Sequence, residues 1–288
     1  MKTLYLVDGT YELFRCFKAT PLHTNAEGRE VGAIRGLLQT LVSLLKTDDL
    51  SHVAVAFDAM VSRTARSDRS ESAMLRSQYP LALDAVRALG MTVWPMVRFQ
   101  ADDAIASAVS RYQSDVDRIV ICSSDQDFCQ CLNERVTLWN RSRRTVQTAR
   151  DVIKRYGVFP ERFADFLALV GDVSDGLPGI PGFGQKTTAM LLDRYADVEA
   201  IIEATEEWAQ HVRSGDTLAA TLLERQEEAI LYRDLSILRT DVPLTADIAK
   251  LEWQALAREE LLKLTETIED TAVISRLNRW PRVGAPLS

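Results

Sequence analysis

The sequence predicts an α/β chain: a mostly parallel sheet with flanking helices, followed by a region built of helices alone. Three observations carry that reading. Short β-branched runs alternate with helical stretches through the first half of the 288 residues. The stronger runs end on or just before an aspartate. From about Asp151 the pattern turns to helix after helix, broken by a Gly/Pro knot at 176–184.

Taken in order, Thr3 to Val7 is a compact apolar strand that meets Asp8, and Tyr11–Lys18 has helical character. Val31–Leu45 places apolar residues at helical spacing despite two glycines. His52–Phe57 (HVAVAF) is a second buried strand, ending at Asp58. Ser70–Leu89 is polar and then apolar-periodic, and Pro80 is expected to interrupt it. Met91–Trp94 is a third short strand. Ala101–Tyr112 is a helix opened by acids, which suit its positive N-terminal end. Arg118–Cys122 (RIVIC) is the fourth strand and runs into SSDQD. Pro160 opens a helix in the favoured first-turn position and Gly171 stops it. Gln185–Tyr195, Leu218–Leu235 and Arg258–Ser275 read as further helices, and the tail from Pro281 as loose.

Composition bounds the function. With 47% hydrophobic and 26% charged residues the chain sits on globular averages, which excludes wholesale disorder, a collagen repeat and a disulfide scaffold. The four cysteines (Cys16, Cys122, Cys129, Cys131) form no CxxC pair, so free thiols in a reducing, cytoplasmic setting are expected. No segment approaches a membrane-spanning length, so no membrane partner is expected. The formal charge of −7 argues mildly against a nucleic-acid partner.

The placement of the acids says more than their number. In a parallel α/β sheet, ligands bind beyond the carboxyl ends of the strands. Asp8 follows the first strand, Asp58 the second, and Asp125 and Asp127 the fourth, while Asp102 and Asp103 open the helix after the third. Any one of these could be a helix cap. Six together would repel strongly, so cations must neutralise them. Oxygen donors without clustered histidines point to Mg2+ or Mn2+ rather than zinc. Two such ions can activate water and stabilise a leaving oxygen in phosphodiester cleavage. Asp172 and Asp175 stand beside the knot GLPGIPGFG, whose glycines admit a phosphate to the backbone. Its GxxGxG order, with no strand before it, fits a hairpin between two helices better than a dinucleotide fingerprint.

LVDGTYELFR, VAFD, QADD, SSDQD and GDVSDGLPGIPGFGQKT occur in an order and spacing that resemble the bacterial 5′-3′ exonuclease and flap endonuclease family, the nucleases also found at the front of DNA polymerase I. The similarity covers roughly residues 3–245, including ILRTDVPL (237–244). It implies a PIN-like nuclease core over 1–158 with a short arch at about 60–80. A helix-hairpin-helix DNA-binding region over 159–245 and a helical extension over 246–288 follow. By position, Asp8, Asp58, Asp102 and Asp125 would surround a first metal, with Asp103 in or beside that shell. Asp127, Asp172 and Asp175 would hold a second, Asp125 bridging, and Arg15 would face the scissile phosphate. The resemblance also implies K+ at the hairpin, with Gly179, Gly182, Gly184 and Lys186 meeting DNA there.

Two departures stand out. The family's Glu-Ala-Asp-Asp is Gln100-Ala101-Asp102-Asp103, so the metal-facing position 100 offers a carbonyl oxygen without charge. The arch span is several residues shorter and lacks the family's Tyr-Lys-x-x-Arg block, leaving Arg63, Arg66, Arg69 and Arg76 as substitutes. Arg141, Arg143 and Arg144 in WNRSRR form a turn-forming basic loop for sequence-independent DNA contacts. The expectation is a structure-specific 5′ nuclease acting as a monomer on branched, nicked or 5′-flap DNA in replication and repair. The alternative is a catalytically weakened junction-binding protein. Setting the eight metal-facing aspartates aside takes the formal charge from −7 to +1, so an acidic total does not exclude DNA.

Overall fold

The computed structural model describes residues 1–59, 69–244 and 247–278, with side chains from Glu71 onward in the second stretch. The chain forms two compact units, Met1–Ser124 with Thr240–Ser288, and Asp125–Arg239.

The first unit contains four strands, β1 (Thr3–Asp8), β2 (Leu50–Asp58), β3 (Thr92–Met96) and β4 (Arg118–Cys122). They lie parallel in the order β3-β2-β1-β4. Helices α1 (Gly9–Ala19), α2 (Gly32–Leu45), α3 (Arg69–Ala88) and α4 (Ala101–Tyr112) connect or cover them. β1 is central and buried along its whole length, which explains its unbroken apolar run without alternation. Leu6, Val55 and Ile121 are fully buried, each contributing about 1.5–3 kcal/mol of transfer free energy. Because all four strands point the same way, their carboxyl ends share one rim. This is the mostly parallel α/β core that the sequence predicts.

Helix α3 is continuous through Pro80 rather than interrupted there. Its buried residues (Leu75, Gln78, Ala82, Ala85, Val86) recur at helical spacing, while Pro80 lies on the exposed side. Loss of one N–H is tolerated on a solvated face, and packing of the other face outweighs it.

The second unit opens with a short 3-10 turn and a hairpin of β5 (Val136–Asn140) and β6 (Thr145–Gln147), paired antiparallel. Then come α5 (Ala149–Tyr156), α6 (Phe163–Val170), α7 (Gln185–Arg194), α8 (Val198–Glu203), α9 (Thr205–Ala209), α10 (Gly215–Glu224) and α11 (Gln226–Ser236). Thr148 and Asp151 cap the start of α5 reciprocally, and left-handed Gly157 ends it. Tyr156, Phe163 and Phe166 form an aromatic cluster with centroids 5.0 to 5.7 Å apart. Trp208 is buried, donates to the Ile201 carbonyl at 2.8 Å and meets Phe183 edge-on. Pro160 opens a 3-10 turn, and the α-helix proper starts at Phe163. The expected helix over 218–235 is two, parted at Arg225, whose N–H is shared between the Thr221 and Leu222 carbonyls.

The chain then returns to the first unit, where the expected helix over 258–275 is α12 (Arg258–Thr267) and α13 (Ala272–Asn278). Before them the segment is strapped down. The Trp253 N–H reaches the Ser51 carbonyl at 2.9 Å, and its indole N–H reaches that of Leu89 at 2.8 Å. Gly90, at φ +68°, lies so close that a Cβ there would fall 1.9 Å from the Ala255 carbonyl oxygen.

Candidate metal and nucleic-acid site

The first unit gathers acids at the rim. Asp8 ends β1 and caps α1, its Oδ1 accepting the Tyr11 N–H at 2.9 Å. It is only 6% exposed, and its Oδ2 accepts the Ser123 hydroxyl at 2.9 Å. Parallel register places Asp8 opposite Ala56, so Asp58 emerges two residues further along the neighbouring strand. The Asp58 N–H donates to Thr10 Oγ1 at 2.8 Å, and its Oδ1 accepts the Ala101 N–H at 2.8 Å. That second bond ties the start of α4, with Asp102 and Asp103 in its first turn, to the end of β2. Asp103 turns one oxygen back to the Gln100 N–H at 3.2 Å, and Gln100 itself is exposed at the N-cap. Tyr79, whose ring meets Phe57 edge-on at 5.9 Å, has its hydroxyl pKa raised by burial and then by the Asp58 charge.

The second unit carries its own cluster. Asp125, Asp127 and Asp175 bring one carboxylate oxygen each to within 4.8 Å of one another. Asp125 Oδ1 also accepts the Asp127 N–H at 3.0 Å, which folds the strand-end turn tightly. Asp175 comes from the loop between α6 and α7, 48 residues away in sequence. Asp172, at the base of that loop, accepts the N–H and hydroxyl of Ser174 through Oδ1. All donors are hard oxygens, and like charges this close favour a bound cation.

The glycine hairpin itself is held by paired bonds between Asp172 and Leu177, at 2.9 and 2.8 Å, and by the Ile180 N–H on the Leu169 carbonyl at 2.8 Å. Gly179 sits at φ +69°, and a Cβ there would strike the Gly171 nitrogen at 2.6 Å. Gly184 caps α7 without a side-chain bond and has open space where a Cβ would be. The first N–H groups of α7 therefore carry no side-chain cap, the condition under which a helix start attracts an anion. Lys186 is exposed in that first turn.

Arg15 lies on the face of α1 that carries Asp8, two turns on. Its Nε and Nη2 both donate to Glu12 Oε2, at 2.9 and 2.5 Å, and Nη2 also donates to Thr40 Oγ1 at 3.0 Å. The WNRSRR segment ends β5 with Trp139 and Asn140 and supplies the turn to β6 with residues 141–144. Asn140 Oδ1 there accepts the Arg143 N–H at 3.0 Å, Arg144 adopts φ 55°, and Arg141 stacks on Trp139. Both Arg143 and Arg144 are exposed. Arg63 and Arg66 lie outside the described residues, and Arg69 is described only by its backbone in α3.

Ser123, Thr10, Glu12 and Tyr79 were not singled out in the sequence. Ser123 had a signal, standing immediately after a strand and two residues before an acid. Glu12 had one as well, an arginine three residues on in the same helix, whereas the Thr40 that also meets Arg15 is contributed by another helix.

The two units thus form an acid-rimmed parallel sheet and a glycine hairpin between helices. Two family profiles match the chain: a 5′-3′ exonuclease N-terminal resolvase-like domain over residues 3–157, and a 5′-3′ exonuclease C-terminal SAM fold over 158–259. This chain belongs to the 5′-3′ exonuclease family. A 5′-3′ exonuclease of Aquifex aeolicus is 30% identical over 98% of this chain and 96% of its own length. DNA polymerase I of Rhizobium leguminosarum is 33% identical over 95% of this chain, which spans only 28% of that polymerase. Among solved structures, T5 5′-exonuclease with bound divalent metal ions (zinc) matches with a TM-score of 0.66 at 21% identity, over 94% of this chain and 100% of that one. Human GEN1 in complex with Holliday junction DNA matches with a TM-score of 0.66 at 15% identity, over 96% and 70%. At these identities the two structures establish the fold.

Proposed function

We propose that this protein is a metal-dependent, structure-specific 5′ nuclease that hydrolyses DNA phosphodiesters near 5′ ends and junctions, in the service of replication and repair. The observation that carries the reading is the gathering of carboxylates at strand ends, together with the cluster of Asp125, Asp127 and Asp175 within 4.8 Å, in a chain of the exonuclease family. Asp8, Asp58, Asp102 and Asp103 serve one divalent ion, with Gln100 lending a neutral carbonyl oxygen. Asp125, Asp127 and Asp175 serve another, with Asp172 beside them. When bound, Mg2+ or Mn2+ supplies an activated water and neutralises charge on the leaving oxygen. The remaining tasks belong to side chains and backbone. Ser123 and the Tyr11 N–H hold Asp8 in one rotamer, so its oxygens need no reorganisation. Arg15 offers its guanidinium to a phosphate. The hairpin N–H groups at Gly179, Gly182 and Gly184, with Lys186, track duplex backbone around a K+ ion, and Arg143 and Arg144 add contacts without sequence preference. Arg66 and Arg69 complete the basic set near the 5′ end. The protein acts as a monomer in the cytoplasm; among the described residues no helix is long and apolar enough to cross a membrane.

A panel of labelled substrates tests this: a 5′ flap, a nicked duplex and an RNA–DNA hybrid, each with Mg2+, Mn2+ or EDTA. Metal-dependent cutting of the DNA substrates near the junction is expected. Tight flap binding without cleavage in either metal would overturn the reading and make the chain a junction-binding module.

A further inference from the structure

Glu12 has 2% of its side chain exposed, against 27% for Arg15. A carboxylate taken that far from water is costly unless compensated, and Arg15 compensates it through two N–H bonds to a single oxygen. The Thr40 hydroxyl, reaching across from α2, accepts a further bond from Nη2. Together these contacts use the Nε and Nη2 side of the guanidinium. The Nη1 edge makes no hydrogen bond among the described residues. Side chains on a helix lean toward its N-terminus, which for α1 is the Asp8 end. Asp8, Glu12 and Arg15 follow one another at positions i, i+4 and i+7, so all three lie on one helix face.

We propose that Glu12 and Thr40 are positioning residues that clamp Arg15 and present its Nη1 edge to a phosphate of the DNA substrate. The proposal rests on the reading of Arg15 as a phosphate-facing group. An unclamped arginine pays side-chain entropy each time it meets a phosphate, whereas a clamped one pays it on folding. The arrangement also divides the arginine's labour. One edge neutralises a buried carboxylate and the other stays available, so the full positive charge is not lost to the ion pair.

Single-turnover cleavage of a labelled 5′ flap in Mg2+, with flap affinity in Ca2+ and thermal unfolding measured alongside, tests it. Arg15→Ala should cut about 100-fold slower. Glu12→Gln, which keeps the shape but loosens the fork, should cut about 10-fold slower with affinity unchanged within about twofold. Thr40→Val should lose several-fold in rate, and Thr40→Ser should recover most of it, a rescue that a merely structural threonine would not show. Glu12→Gln combined with Arg15→Ala should be no slower than Arg15→Ala alone. If Arg15→Ala cuts at the native rate, the phosphate reading itself falls. If Arg15→Ala is slow while Glu12→Gln and Thr40→Val cut normally, Arg15 keeps its role and the clamp is wrong. Rate losses that follow unfolding, or that add in the double variant, also overturn it.

Discussion

At the scale of single residues, what the sequence displayed was position and what it hid was partnership. Asp8 and Asp58 were legible because each ends a β-branched run, where the chain must leave the sheet. The Ser123 hydroxyl on Asp8, the Thr10 oxygen under the Asp58 N–H and the Arg15–Thr40 contact were not, because they join groups brought together only by packing. Ser123→Ala removes a buried bond to a charged oxygen and should cost about 1.5–3 kcal/mol of stability. It should also raise the Mg2+ concentration needed for half-maximal cleavage; a variant matching the native protein in both denaturant midpoint and metal dependence would show that this bond is idle. Gln100 gives the opposite test. A glutamate there restores one negative charge beside the rim, worth about 1 kcal/mol when partly solvated, so Gln100→Glu should lower half-saturating Mg2+ about fivefold. Identical Mg2+ and Mn2+ titrations for the two proteins would remove any role for the glutamine in metal preference.

At the scale of elements, the four parallel strands were legible as compact apolar runs, and the helices between them as stretches of helical periodicity. The β5–β6 hairpin was not. Its strands are short and half-exposed, and the arginine-rich turn dominates the local composition. The return of the C-terminal segment to the first unit was hidden for a different reason, since its anchors are backbone groups. Gly90→Ala would put a methyl into the Ala255 carbonyl at a backbone angle that side chains avoid. It should cost about 2–4 kcal/mol and expose the segment before α12 to protease, both readable by a denaturant melt and limited proteolysis. The same extension is fastened by Glu269, whose carboxylate pKa is lowered, first by the Ala26 N–H and then by His23. A depressed carboxylate stabilises the fold above its unfolded pKa and loses that contribution as pH falls through the folded value. Hydrogen exchange should therefore show α13 loosening below the ordinary glutamate range, and Glu269→Gln should show the loosened pattern at neutral pH already. Protection of α13 that is flat with pH in the native protein would contradict this.

At the scale of the whole molecule, the net charge of −7 is a poor guide to partners because charge is distributed by site. Carboxylates are concentrated at strand ends and in the Asp125, Asp127, Asp175 cluster, while exposed arginines and Lys186 stand at a hairpin turn and a helix start. Backbone binding by such local basic groups should weaken steeply with salt. A flap affinity that barely changes between 50 and 200 mM salt, a range over which about 10^3-fold losses occur for extensive phosphate contacts, would mean that DNA is held by other means. The central claim is that the strand-end carboxylates are kept in place to hold divalent ions for phosphodiester hydrolysis, despite their mutual repulsion. Its most direct test is the single-turnover rate on a 5′ flap in Mg2+ for the native protein and Asp8→Asn, which preserves shape and removes one charge. The native protein should cut in a metal-dependent manner, and the folded variant should be slower by about 10^3 or more. Equal rates for the two, or cleavage that persists in EDTA, would contradict the account.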